Sequence, residues 1–86
     1  MTTSELRVAI QGILDSPNWT EGEKWMLRTE IGYAGEFANA LRAVLARADD
    51  GNRAKLALGF PSEHAAFLAW TRGDLCKRFR DAGVEP

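Results

Sequence analysis

At 86 residues the chain has room for one domain, residues 1–86, and its 45% hydrophobic content is enough to build one core. A formal net charge of -1 excludes binding of nucleic acid by bulk positive charge. One cysteine cannot close an internal disulfide, and one cysteine with one histidine cannot close a zinc site.

No apolar run approaches the length that a bilayer span requires. The start, Met1-Thr2-Thr3-Ser4-Glu5, lacks the basic residues and the apolar stretch of a signal peptide, so the expectation is a soluble cytoplasmic domain. Thirteen alanines against three valines and three isoleucines favour helix over strand.

The first helix is expected over residues 3–14. Thr2 and Glu5 have capping-box spacing, and Leu6, Ile10, Ile13 and Leu14 share one face. Asp15-Ser16-Pro17-Asn18 stops it, because Pro17 disfavours helical geometry at Ser16. Thr20 and Glu23 repeat the capping box, and from there a long helix is expected to run to about Ala48. Leu27, Ile31, Ala34, Ala38, Leu41, Leu45 and Ala48 alternate spacings of four and three, a heptad seam that Trp25, Phe37 and Val44 broaden. The seam predicts a core-facing stripe, with a homodimeric coiled coil as the competing reading. Gly32 and Gly35 inside it predict either a bend or, preferably, the close approach of another helix along Gly32, Gly35, Asn39 and Ala43.

Asp49-Asp50-Gly51-Asn52 is a turn, too short for a calcium loop, with Asp50 as the expected cap of a short helix over 52–58. Gly59 suits a helix end, and Pro61 the first position of the next helix. That helix carries Ala65, Ala66, Leu68, Ala69 and Trp70 and ends at Thr71-Arg72-Gly73. A last helix capped by Asp74 presents Leu75, Cys76, Phe79 and Ala82 on one face and closes at Gly83. The expected fold is a small all-α bundle of four to five helices, with the long central helix over 20–48 as its spine.

His64 and Cys76 are the one possible nucleophile–base pair, but they fall on different helices, Cys76 on an apolar face and His64 in a first turn. Phosphate-binding glycine loops and zinc-protease spacing are missing, and an alanine-rich bundle leaves little volume for the roughly 300 Å³ that a pocket needs. No catalytic, cofactor-binding or metal-binding residue is assigned, and the expectation is a protein that is not an enzyme.

Two surfaces are candidates for binding. One or two of the three tryptophans are expected in the core, and that is the favoured reading of any single one. An exposed one beside an arginine would make an interface hot spot, which nominates Trp19, Trp25, Arg28, Trp70 and Arg72 for a protein partner. Charge is also uneven: residues 1–38 hold three basic and six acidic groups, residues 39–86 eight basic and six acidic. Arg72, Lys77, Arg78 and Arg80 cluster near Trp70 and Phe79, which keeps phosphate contact as the alternative.

The stretch Ile31-Gly32-Tyr33-Ala34-Gly35-Glu36-Phe37-Ala38-Asn39-Ala40-Leu41, followed by Ala48-Asp49-Asp50-Gly51-Asn52-Arg53-Ala54-Lys55-Leu56-Ala57-Leu58-Gly59-Phe60-Pro61-Ser62-Glu63, resembles small hypothetical proteins of bacteriophages and prophages. With Trp70 in the place of a following aromatic, the resemblance covers about residues 31–72; Ser62 and His64 depart from it, standing where an acidic and an apolar residue are usual. It implies a phage accessory context in a host bacterial cytoplasm and transfers no functional residue. The resulting expectation is a non-catalytic accessory protein that binds a host or phage protein and inhibits or modulates a defence or regulatory complex. A nucleic-acid-associated protein and a self-associating module, as a homodimer, are the alternatives.

Overall fold

The computed structural model describes residues 2–85. Among them the chain is all-helical, with six helices: α1 (Thr3–Asp15), α2 (Glu21–Ile31), α3 (Glu36–Arg47), α4 (Asp50–Gly59), α5 (Pro61–Thr71) and α6 (Asp74–Asp81). None is long and apolar enough to cross a membrane. The radius of gyration is 13.1 Å, somewhat above the ~12 Å of a spherical domain of this length, and the longest dimension is 43 Å.

Local chemistry accounts for the helix ends. Thr2 and Glu5 form the expected capping box on α1, and Thr20 and Glu23 form the same arrangement on α2. Each box satisfies backbone donors that the first turn leaves unpaired. Asp49, rather than Asp50, caps α4 by accepting from the Asn52 N–H at 2.8 Å. Pro61 opens α5, as its missing donor and fixed φ allow. At the end of α6, Gly83 takes φ 93° and the Val84 N–H turns back to the Phe79 carbonyl at 2.8 Å, which tucks Val84 into the core.

The long helix expected over 20–48 does not exist. Gly32 adopts φ 82° and ends α2, with the Tyr33 N–H bonded back to the Arg28 carbonyl at 2.9 Å. This left-handed geometry strains any residue with a Cβ, so the glycine overrides the heptad periodicity on either side. Gly35 then caps α3. Neither glycine is a close-approach point: a Cβ built on either meets nothing within 4 Å. The seam divides accordingly. Leu27, Leu41 and Leu45 are buried and Ile31 and Ala38 half-buried, while Phe37 and Val44, expected to widen the core stripe, are 69% and 49% exposed.

The true close approach is at Gly22. A Cβ there would overlap the backbone carbonyl of Ser62. The Gly22 N–H donates to the Ser62 Oγ at 2.7 Å, so the first turns of α2 and α5 meet directly. α2 is buried over Lys24, Trp25, Met26 and Leu27. Lys24 threads its stem through this layer, and its Nζ reaches Glu21 at 3.7 Å. Residues 65–70 of α5 are apolar without interruption, so apolar side chains leave the helix on every side there, and α2, α3, α4 and α6 all pack on it. α5 with α2, not a helix over 20–48, is thus the spine. α1 is peripheral: no other helix runs close alongside it, and Ile13 is its one buried residue.

A continuous helix and a broken one predict opposite signs for one substitution. Gly32→Ala is expected to lower stability by about 1 kcal/mol, because alanine resists positive φ. In an uninterrupted helix it would raise stability by about the same amount; urea denaturation distinguishes the two.

Candidate functional site

The three tryptophans face inward. Trp25 is 8% exposed and its Nε1 donates to the Ala38 carbonyl at 3.2 Å, so the expectation that it offers a free binding face with Arg28 is corrected. Its ring locks α2 to α3 across the break at Gly32. Trp19 is half-buried and stacks on Phe79, with ring centroids 5.4 Å apart and planes 17° from parallel. Trp70 meets the same phenylalanine at 6.3 Å. The structure therefore brings Trp19 and Trp70 together around Phe79, as packing between the loop before α2, α5 and α6. Cations complete it: the Arg78 guanidinium lies 4.1 Å from the Trp19 centroid and the Arg42 guanidinium 5.3 Å from that of Trp70. Arg28 is half-buried, and Arg72 is exposed and paired with Asp74 at 3.2 Å.

The basic residues of the nucleic-acid alternative are largely engaged. Arg72 meets Asp74, Lys77 lies 4.0 Å from Asp81, and Arg78 binds Glu23, leaving Arg80 as the member without an ion pair among the described residues. Exposed pairs of this kind are weak and could yield to a phosphate, but they lower the free positive charge that the face offers. Glu23 has two tasks. One carboxylate oxygen accepts from the Thr20 N–H at 2.8 Å to close the α2 cap, and the other holds Arg78 on α6.

His64 in the first turn of α5 and Cys76 on α6 are both half-buried. Among the described residues no three histidine, cysteine or carboxylate side chains gather as metal ligands.

The expectation of little open volume is not met. A groove of about 680 Å³ lies between α1 and the end of α2, floored by Leu6, Ile10, Leu14 and Ile31 and flanked by Val8 and Tyr33. A second, of about 390 Å³, lies between α3 and α4, over Val44, Ala48 and Leu56 with Arg47, Asn52 and Lys55 at its edge. Neither is lined by a histidine, cysteine or carboxylate. Both offer apolar surface with a few donors. Val8 and Tyr33 are 72% and 77% exposed, and no reasoning from sequence singled them out. For Val8 the available clue was its position on the polar side of an otherwise amphipathic helix; for Tyr33 it was the two glycines around it.

No family model matches this sequence, and neither curated proteins nor solved structures show a similar chain.

The double role of Glu23 is measurable. Arg78→Ala removes a cation–aromatic contact and a half-buried pair, with an expected cost of about 1 kcal/mol. Glu23→Ala removes the same pair and the reciprocal half of the capping box, the bond from the Thr20 N–H to the carboxylate, so in an Arg78→Ala background it is still expected to cost about 0.5–1 kcal/mol. No further loss from Glu23→Ala in that background, measured by chemical denaturation, would mean that Glu23 serves only Arg78.

Proposed function

We propose that this protein acts without catalysis, by binding another protein, as a phage- or prophage-type accessory factor that inhibits or modulates a host defence or regulatory complex. The observation that carries the binding reading is the distribution of apolar side chains. Val8, Tyr33, Phe37, Val44 and Leu58 stand exposed, Leu58 by 87%, while every tryptophan is turned inward to build the fold. Val8 and Tyr33 line one groove and Val44 the other, and exposed apolar area beside a groove is a mark of partner surfaces. The phage context and the host bacterial cytoplasm rest on the resemblance over residues 31–72.

The rival reading, nucleic-acid association through Arg72, Lys77, Arg78 and Arg80, has weaker support because three of the four already face a carboxylate. Self-association as a homodimer loses its original argument with the interruption of the heptad seam at Gly32.

The test compares the parent chain with a variant carrying Val8→Glu, Tyr33→Glu, Phe37→Glu and Leu58→Glu in affinity capture from host cells. These positions lie outside the core, so helicity should be unchanged, with about 1 kcal/mol lost from the Phe37–Phe60 contact. The expected result is a protein enriched by the parent and lost from the folded variant. Retention of every captured protein by the variant contradicts the reading. A shift of DNA or RNA by the parent at about 50 mM salt, lost on raising the salt, would favour the rival instead.

A further inference from the structure

The protein-binding reading leaves open which surface is used and what it takes. We infer that the outer face of α3, together with the groove between α3 and α4, docks an acidic amphipathic helix. The inference rests on that reading and gives it a surface and a partner chemistry.

The apolar part is a stripe. Phe37, Ala40 and Val44 recur at intervals of three and four along α3, and all three are exposed. Residues at that spacing share one side of a helix. Phe37 leans on Phe60, ring centroids 5.8 Å apart, which holds its ring in place while leaving it 69% exposed. The stripe continues past Val44 into the groove floored by Ala48 and Leu56. From residue 37 to 48 it is about 16 Å long, or three turns of a partner helix. Apolar anchors on a helix seated in such a groove are a recurring recognition mode.

The charged part decides the partner. Arg47 and Lys55 stand at the groove edge, and no carboxylate lines it. Neither cation has an ion pair among the described residues; Arg7, Arg28, Arg53 and Arg80 also lack one, but none of them lines this groove. The dipole of α3 accounts for a cation in its last turn and so for Arg47, but not for Lys55, which lies mid-helix in α4. The nearby acids are Asp49, which caps α4, and Asp50 in the first turn of that helix, and neither lines the groove. At the opposite end of the stripe stands Glu36. A docked helix therefore places its carboxylates over Arg47 and Lys55 and keeps them away from Glu36, which fixes its direction. This polarity steers encounter and excludes basic helices with the same apolar pattern.

The test titrates isotope-labelled protein with a synthetic helical peptide of about 14 residues, carrying leucine at helical spacing and glutamate on the flanks, and follows backbone amide shifts. A second peptide has lysine in place of each glutamate. The expected result is saturable shifts confined to α3 and α4, at least roughly ten-fold weaker affinity for the lysine peptide, and a similar loss in the Arg47→Glu, Lys55→Glu double variant. Val44→Glu, chosen because it leaves both cations in place, is expected to weaken binding as well. Shifts centred on α1 or α6, or equal affinity for both peptides, overturn the inference. So does a response to anionic phosphatidylglycerol vesicles or duplex DNA that exceeds the peptide response, or a protein dimer formed through this same face. If the four-site glutamate variant loses its cellular partner while the peptide shows no preference, this inference fails and the general binding reading stands. If that variant keeps its partners, the general reading fails first.

Discussion

Where α2 and α5 begin, their backbones touch, and the rest of the fold is arranged around that contact. Gly22 is buried without a side chain because the carbonyl of Ser62 occupies the place where one would be. Its N–H is one of the donors that a helix start leaves unpaired, and the Ser62 hydroxyl accepts it. The contact thus solves a polar problem while setting the distance between the two helices. Trp25, Met26 and Leu27 on α2 and Ala66 and Phe67 on α5 fill the core beyond it, and Leu75, Phe79 and Val84 from α6 complete the same cluster. Glu23, one residue on, reinforces the junction from the other side by holding Arg78 of α6.

Aromatic groups are used mainly inside this frame. Phe79 is fully buried with Trp19 and Trp70 against it, and arginines cover both indoles. Trp25 spends its one donor on the Ala38 carbonyl. The tryptophans are therefore committed to the fold, and the apolar side chains that the frame leaves out are those beside α1 and those along α3 and α4.

Features set by neighbours in the chain were legible from sequence. Both capping boxes, Pro61 at the start of α5, the closing turn at Gly83 and the all-helical class each depend on a few adjacent residues or on composition. The break at Gly32 was not legible as a break, because the apolar spacing of Leu27, Ile31, Leu41 and Leu45 continues through it and periodicity carries no information about φ. Gly22 escaped notice for a different reason. A glycine in a first turn has no local signature, and its role comes from Ser62, forty residues away. The outward turn of Phe37 and Val44 follows from the break, since α3 takes its own orientation once the chain is interrupted. The open grooves were likewise missed, because composition limits how much a core can bury but not where helices part at the surface.

The close approach of α2 and α5 is tested most directly by Gly22→Ala in urea or thermal unfolding. Glycine to alanine in an ordinary helix interior stabilises by about 0.5–1 kcal/mol. Here the added methyl must displace the Ser62 backbone, and the expected result is a loss of about 3 kcal/mol, or a fall in melting temperature of at least ~12 °C. Unchanged or increased stability would contradict the account, because it would mean that the two helix starts do not meet.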